Sequence, residues 1–153
     1  MIPLKDAIEN GIWLQCEYDY RGEFIQFRLK ISSFKKIKLA DVDEPEEIKV
    51  IDSNANYWQM DIEVINLTKE PLSPTFGPNQ LILVDQDGFK FHVSDDTHLR
   101  LSSEFAERTK MDRFFAKELI PKTKAIGAIP FQLPDDDDAI YSISLKEGSV
   151  REA

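Results

Sequence analysis

The sequence predicts an all-β protein, built as an antiparallel sandwich of about eight or nine strands with one or two short helices. Two observations support this fold class. Apolar residues recur at every second position in several separate stretches, which is the period of a strand with one buried face. In addition, strands do not alternate with longer helices, so a parallel sheet is not indicated. Two antiparallel sheets packed face to face would bury one side of each strand.

The length and composition fit a single domain over residues 1–153. Hydrophobic residues make up 42% of the 153 residues and charged residues 31%, a balance typical of globular domains. A chain of this size buries roughly 68–70% of the surface that it exposes when unfolded. The net charge is −9, the basic residues are dispersed, and no apolar run approaches the roughly 20 residues of a membrane helix. We therefore expect neither nucleic-acid binding nor membrane insertion.

Residues 1–19 predict a short helix followed by a strand. Pro3 lies near the first helical position and Gly11 follows the last one, the asymmetry of a helix over Pro3–Asn10. After Gly11, apolar side chains alternate with polar ones, which predicts a strand whose buried face carries Ile12, Leu14, Cys16 and Tyr18. Trp13 falls on the polar face of that strand.

The next strand has the clearest alternation in the chain. After a turn at Tyr20–Glu23, apolar residues occupy every second position of Ile25–Ile31. A bulge or bend near Ser32–Ser33 would let the strand continue towards Ile37. Asp41–Glu47 then predicts a solvated loop, since a run of acidic residues with a proline cannot bury itself.

A long amphipathic strand organises the middle of the chain, after a short strand at Ile48–Ile51. Alternate positions of Tyr57–Leu67 form an apolar face that consists of Trp58, Met60, Ile62 and Val64. Pro71–Gln80 predicts a loop, because its prolines cannot donate to a sheet ladder. The apolar run Leu81–Val84 before the turn residues Asp85–Gly88 predicts a β-hairpin.

The last third of the chain predicts four further elements. They are a capped short helix at Ser102–Glu107, a strand at Lys124–Leu133 broken by Gly127, an acidic loop at Asp135–Asp138 and a last strand at Ile140–Leu145. Residues 147–153 form the C-terminal tail, which we expect to be frayed.

Three separate features match one bacterial family. A strand ends in Asn66, the turn Asp85–Gly88 has a D-x-D-G pattern, and Gly127 precedes a strand that ends in Phe131 and Pro134. In these features the chain resembles the bacterial immunoglobulin-like domain of unknown function that is found mainly in Gram-positive lipoproteins. That family is similar in fold to a secreted mycobacterial immunoprotective protein. The resemblance covers about residues 26–145.

The resemblance implies an immunoglobulin-like β-sandwich and brings no catalytic residues. The chain differs from the family in three ways. It adds residues 1–19, it lacks the signal peptide and lipoprotein cleavage motif because Met1–Asn10 has no apolar region, and it has Pro121-Lys122 where the family favours Pro-Gly. From the chain as it begins, we expect a cytoplasmic location. The family implies the cell surface if a signal has been removed.

Two acidic segments are candidate metal sites. Asp85 and Asp87 have the carboxylates that calcium prefers, but glycine is the fourth residue of this segment, whereas an EF-hand loop needs glycine at the sixth. We interpret the segment as a hairpin turn with Gly88 at positive φ. Four consecutive carboxylates could hold a cation weakly if another loop contributes oxygens, but a solvated loop is favoured; they are Asp135, Asp136, Asp137 and Asp138.

No pattern of catalytic residues stands out in the sequence. His92 and His98 flank Asp95 and Asp96, so a mixed metal site is one alternative, although the spacing does not bring the histidines together. Neither a G-x-S-x-G nucleophile motif nor a phosphate-binding glycine loop occurs. We therefore predict no cofactor and no enzymatic activity.

Trp13 is the candidate interaction residue. The sequence places it on the outer face of a strand near the terminus, where an exposed edge could accept a strand from another protein or from a second copy of the chain. The alternative is that the helix over Pro3–Asn10 covers the indole. Cys16, the single cysteine, is predicted to be a buried core residue.

The function predicted from these observations is a non-catalytic binding or protein-interaction module. Its ligand is not specified by any motif. Two alternatives stay open. One is a metal-binding or enzymatic domain that uses His92, His98 and the acidic loops, and the other is a structural domain of an envelope assembly.

Overall fold

The computed structural model describes residues 1–37, 55–94 and 117–153, together with Thr109 and Phe114. These residues form two antiparallel sheets, which confirms the predicted all-β sandwich. Their strands and helix are β1 (Ile2–Pro3), α1 (Leu4–Glu9), β2 (Trp13–Tyr20), β3 (Glu23–Lys36), β4 (Ala55–Asn66), β5 (Leu81–Val84), β6 (Lys90–His92), β7 (Lys124–Pro134), β8 (Ser142–Leu145) and β9 (Ser149–Glu152). Two short 3₁₀ helices, Pro74–Phe76 and Pro78–Gln80, lie between β4 and β5.

The two sheets enclose one hydrophobic core. The smaller sheet has the strand order β1-β8-β5-β6, and the larger sheet has the order β7-β4-β3-β2-β9. The long strand β3 turns alternate side chains towards the opposite sheet, as its sequence pattern requires, whereas all four residues of β5 are buried. The largest fully buried side chains are Phe27, Phe131, Leu14, Leu29, Ile31, Met60, Ile62, Leu81, Leu83, Leu119 and Ile129.

β3 and β4 are the two long strands that the alternation predicts. Their register shifts between Ile31 and Ser33, so the predicted bulge is present. Beside it, the hydroxyl of Ser33 donates a hydrogen bond to the carboxylate of Asp61. The predicted apolar face of β4 is the buried one, with Met60, Ile62 and Val64 at 0% exposure. This pair forms the centre of the larger sheet.

β7 runs through Gly127 without interruption, so the predicted break at this glycine is wrong. The glycine has a packing role instead. A Cβ atom at Gly127 would lie 2.1 Å from the ring of Phe114, which is buried. The missing side chain lets the ring pack directly on the strand.

The C-terminal residues form a strand, so the prediction of a frayed tail over residues 147–153 is also wrong. β9 pairs with β2 in a register that places Val150 opposite Cys16. Gly148 has a φ of 93°, and a Cβ atom there would lie 2.0 Å from the carbonyl oxygen of Glu17, so the turn into β9 requires glycine. Most side chains of β9 are exposed, so main-chain hydrogen bonds to β2, rather than side-chain packing, hold the tail in place.

The predicted N-terminal helix is present as α1. It buries Leu4 and Ala7, and Gly11 follows its end with a φ of 58°. Within the described ranges, no helix has both the length and the apolar character to cross a membrane. Four predictions lie outside the described residues: the loop at Asp41–Glu47, the strand at Ile48–Ile51, the helix at Ser102–Glu107 and the position of His98.

Candidate binding site

The segment Asp85–Gly88 is the hairpin turn that the sequence predicts. Oδ1 of Asp85 accepts hydrogen bonds from the N–H groups of Asp87 and Phe89, both at 2.9 Å. The N–H of Asp85 also donates to the carbonyl oxygen of Phe89 at 3.0 Å, and Gly88 has a φ of 89°. The Asp85 carboxylate therefore caps its own turn.

The acidic loop Asp135–Asp138 is exposed, as predicted, and adjoins that turn. The N–H of Ile140 donates to Oε1 of Gln86 at 2.9 Å, which joins the two loops. Burial, and then the charge of one carboxylate from each loop, raises the pKa of Tyr141. In the part of the chain that the structure describes, no three His, Cys, Asp or Glu side chains group closely enough to hold a metal ion.

His92 lies on β6 with an exposed side chain, as predicted. Desolvation, followed by the charges of Lys146 and Lys90, lowers the pKa of its imidazole. The same lysines repel a bound cation, so the surroundings of His92 do not favour the metal alternative. Because His98 lies outside the described residues, a site that uses both histidines stays a prediction.

Trp13 does not lie at a sheet edge, so this part of the prediction is wrong. β2 is paired with β3 on one side and with β9 on the other. The carbonyl oxygen of Trp13 accepts a hydrogen bond from the N–H of Ala153 at 2.9 Å. The tail thus occupies the edge of β2 that was expected to be open. The indole itself is half-buried, and its role in an interaction stays a prediction.

Cys16 is a core residue, as predicted, with 0% exposure. Burial, and then the charge of Glu17, raises the pKa of its thiol from 9.0 to about 12. The thiol is therefore protonated at neutral pH. A protonated, buried thiol is a poor nucleophile.

A cleft of about 700 Å³ opens at one end of the sandwich, where the sequence did not predict a site. Its near wall is the end of the β2–β3 hairpin, which contributes Tyr20 and Phe24. The opposite wall is the segment Thr68–Phe76 that follows β4, and Glu118 also lines the cleft. The volume lies within the range of ligand-binding clefts.

The turn between β2 and β3 fixes the near wall. Tyr20 pairs with Glu23, and between them Arg21 and Gly22 have φ angles of 49° and 84°. Positive φ at both central residues is the turn geometry that matches the twist of a two-residue hairpin. The guanidinium carbon of Arg21 lies 5.2 Å from the centroid of the Tyr20 ring, within range of a cation–π contact. The turn thus presents the side chains that follow it in a fixed arrangement.

Asn66 holds the opposite wall. Its side chain is fully buried, and Nδ2 donates to the carbonyl oxygens of Glu70 and Leu119, each at 2.9 Å. Oδ1 accepts a hydrogen bond from the N–H of Thr68 at 2.8 Å. One amide therefore satisfies three main-chain groups at the point where the chain leaves the sheet.

Thr68 ties this wall to β3. The N–H of Gln26 donates to Oγ1 of Thr68, and the Thr68 hydroxyl donates to the carbonyl oxygen of Gln26, both at 3.1 Å. The N–H of Leu67 donates to the same carbonyl oxygen at 3.0 Å. Hydrogen bonds thus connect the two walls of the cleft.

Tyr20 and Phe76 place two partly buried aromatic side chains side by side in the lining of the cleft. The ring centroids of Tyr20 and Phe76 are 5.1 Å apart. The hydroxyl of Tyr18 donates to the carbonyl oxygen of Phe76 at 2.5 Å and anchors this residue. Burial, followed by the charges of Tyr20 and Glu147, raises the pKa of Tyr18 to about 12, so the hydroxyl remains a donor at neutral pH.

The mouth of the cleft combines an apolar surface with charges. Phe24 is 49% exposed. Glu23, Glu70, Glu118 and Lys69 also line the cleft and are exposed. An aromatic group surrounded by charged groups suits recognition by apolar contact together with ionic contact.

The sequence contained one signal of this site. Phe24 precedes Ile25, so it falls on the face of Gln26 and Arg28, which is the polar side of the alternation. An aromatic residue on a solvent-facing side is a feature of interaction surfaces. No local pattern, however, shows that the segment after β4 lies opposite Phe24.

The fold defines the protein as an all-β sandwich, and comparison with known proteins adds fold neighbours. No protein-family model and no curated protein sequence matches the chain. The structure is similar to that of a conserved hypothetical protein from Bacillus anthracis, with 13% sequence identity and a TM-score of 0.50 over 92% of this chain and 98% of that chain. It is also similar to a putative lipoprotein from Staphylococcus aureus, with 10% identity and a TM-score of 0.53 over 88% of this chain and 85% of that chain.

Both neighbours come from Gram-positive bacteria, and both are all-β. At these identities, the similarity shows a shared fold and assigns no function. Of the resemblance inferred from the sequence, one part is therefore confirmed: the chain shares an all-β fold with proteins of Gram-positive bacteria.

Proposed function

We propose that this protein is a non-catalytic, immunoglobulin-like binding module that recognises another protein through the cleft beside Phe24. The observation that carries the proposal is the 49% exposure of Phe24 at the mouth of the cleft. An aromatic side chain buries a large area on binding and loses little conformational entropy. These are the properties of an anchor residue in protein recognition.

The fixed walls of the cleft support this proposal. Asn66 and Thr68 hold the segment after β4, and the turn at Arg21 and Gly22 holds the hairpin. A preorganised cleft does not need to order its walls when a partner binds, so more of the contact energy appears as affinity. A volume of about 700 Å³ fits a short segment of a partner chain.

The proposal includes a location at the cell surface. The similar protein from Staphylococcus aureus is a putative lipoprotein. The chain also resembles a domain found mainly in Gram-positive lipoproteins. A domain anchored by a lipid meets other proteins outside the membrane, which agrees with a binding role.

A peptide-display selection tests the proposed function. The wild-type protein selects binders from a random peptide library, and each enriched peptide is titrated into wild type, Phe24→Ala and Phe89→Ala. We expect Phe24→Ala to weaken binding about tenfold or more, because truncating an aromatic anchor commonly costs more than 1 kcal/mol. Phe89→Ala is the matched control, since Phe89 is 66% exposed and lies outside the cleft.

The proposal is wrong if no peptide is enriched, or if the enriched peptides bind wild type and Phe24→Ala equally well. Circular dichroism and thermal unfolding of both variants separate a lost contact from a lost fold. Because both side chains are largely exposed, we expect each variant to unfold within a few degrees of the wild type.

A further inference from the structure

The cleft carries more negative than positive charge. Of the residues that the structure describes, its lining contains Glu23, Glu70 and Glu118 but only one cation, Lys69, and the guanidinium of Arg21 lies beside it on the Tyr20 ring. Among the described residues, none of these glutamates forms an ion pair. Exposed carboxylates around an apolar cleft attract a cationic ligand and disfavour an anionic one.

β3 also extends beyond its neighbour at the cleft. The β3–β4 ladder ends where Phe27 pairs with Asn66, and the main chain of Gln26 bonds to the segment at Thr68. In an antiparallel ladder, the main-chain groups of residues two apart point to the same side. The N–H and C=O of Phe24 therefore point towards the cleft, where no described residue donates to or accepts from them.

A second copy of this chain is a poor occupant for the cleft. The chain has a net charge of −9, so two copies repel each other. The carboxylates of the cleft add to that repulsion. Charge complementarity therefore favours a different protein with a basic segment.

We propose that the cleft binds an extended segment of a partner protein that carries lysine or arginine together with apolar side chains. The segment lies alongside β3 and exchanges main-chain hydrogen bonds with Phe24, beyond the point where Leu67 and Thr68 bond to Gln26. Its apolar side chains pack on Phe24 and Phe76, and its cationic groups face Glu70 and Glu118. The inference rests on the proposed function, because it specifies the ligand of the same cleft.

Matched synthetic peptides test the charge of the ligand. Valine alternates with lysine in one peptide, with serine in a second and with glutamate in a third of equal length. Each is titrated into the ¹⁵N-labelled full chain, and amide shifts give both the affinity and the position. We expect the lysine peptide to bind about tenfold more tightly than the serine peptide, with shifts at Phe24 and Gln26, and to weaken as salt is added. The glutamate peptide should not bind.

Methylated peptides test the main-chain pairing. In one version of the lysine peptide, methyl groups block the N–H groups of the odd-numbered residues, and in another version those of the even-numbered residues. A strand added to an edge uses the N–H groups of one side only. We expect one version to lose binding about tenfold or more and the other to retain it. Equal binding by both versions would overturn the strand-addition geometry.

Charge variants test the carboxylates themselves. The double variant Glu70→Gln and Glu118→Gln should reduce the preference for the lysine peptide over the serine peptide by about threefold to tenfold. Asp137→Asn removes an exposed carboxylate from the acidic loop, which is not part of the cleft, and should leave the preference unchanged.

The outcomes separate this inference from the proposed function. If a serine or glutamate peptide binds at Phe24 as tightly as the lysine peptide, the inference of a basic ligand is wrong. The proposal that the cleft binds a partner protein is then retained. If the lysine peptide does not shift Phe24 and the display selection also yields no peptide that depends on Phe24, both proposals are overturned.

Discussion

Asn66 contributes both to the stability of the fold and to the shape of the cleft. Its buried amide bonds to main-chain groups of Glu70, Leu119 and Thr68. In Asn66→Ala, the N–H of Thr68 and the C=O of Glu70 lose this partner, while the C=O of Leu119 keeps its hydrogen bond from the N–H of Leu72. We expect the free energy of unfolding to fall by about 2 to 4 kcal/mol, because each buried polar group left without a partner costs about 1 to 3 kcal/mol. Urea denaturation followed by circular dichroism measures the loss.

Asn56→Ala is the matched control on the same strand. Asn56 donates a hydrogen bond of 3.0 Å to Asp135 at the exposed surface. Its replacement should change the free energy of unfolding by less than about 0.5 kcal/mol. Equal losses in the two variants would show that the buried amide of Asn66 has no special role.

Residues whose role depends on nearby sequence could be predicted, and residues whose partner lies far away could not. Cys16 follows from the alternation of its own strand, and Gly88 from its own turn. The roles of Asn66 and Gly127 depend on Leu119 and Phe114, which a local pattern does not connect to them. The sequence predicted that a strand ends at Asn66, but it did not show that the Asn66 side chain donates to the carbonyl oxygens of Glu70 and Leu119.

β9 is the element whose removal should change how the molecule associates. It covers the edge of β2 with main-chain hydrogen bonds. A chain that lacks residues 149–153 would expose the N–H and C=O groups of that edge beside Trp13, and an open edge accepts strands from other copies. We expect the shortened protein to be less stable and to form dimers or larger species. Size-exclusion chromatography with light scattering measures the mass.

Arg151→Ala is the control for this experiment. Arg151 forms an ion pair with Glu17 across the two strands. Such exposed pairs contribute little, so the variant should keep β9 in place and remain in the same state as the full chain. A shortened protein with the same mass as Arg151→Ala would contradict the edge-protecting role of β9. Adding Trp13→Ala to the shortened chain then shows whether the indole takes part in association.

Elements with strong side-chain alternation were predictable, whereas β9 was not. β3 and β4 alternate over many residues, so each strand specifies its own buried face. β9 has four residues with mostly exposed side chains. It is held by main-chain pairing, which any sequence without proline can supply, so its side chains carried little information about its structure. Because β9 was not predicted, the edge of β2 at Trp13 was expected to be open.

At the scale of the whole molecule, the sandwich could be predicted but the cleft could not. Two packed sheets follow from several amphipathic strands, because each strand must bury one face. The cleft depends instead on where the hairpin end, the segment after β4 and Glu118 meet. Their meeting is set by the arrangement of strands β2, β3 and β4 in one sheet, which no single segment encodes.

The packing of the two sheets should also make the molecule sensitive to alkaline pH. Burial, and then the charge of Glu17, raises the pKa of Cys16 from 9.0 to about 12. Burial, and then the charges of Tyr20 and Glu147, raises the pKa of Tyr18 from 10.0 to about 12. The folded state therefore keeps protons that the unfolded chain releases. This contribution to stability is complete below pH 9.0 and is lost as the pH rises towards 12.

Urea denaturation of wild type and Cys16→Ala between about pH 7 and about pH 11 tests this dependence. The variant should be less stable at neutral pH by about 1 to 3 kcal/mol, because it leaves a small cavity in the core. Its free energy of unfolding should nevertheless fall less steeply than that of wild type between pH 9.0 and pH 10.0. In this range the unfolded wild-type chain releases the proton of Cys16 before that of Tyr18, and the variant has no thiol to ionise. Parallel slopes would mean that the thiol ionises equally in both states, which contradicts its burial between the sheets.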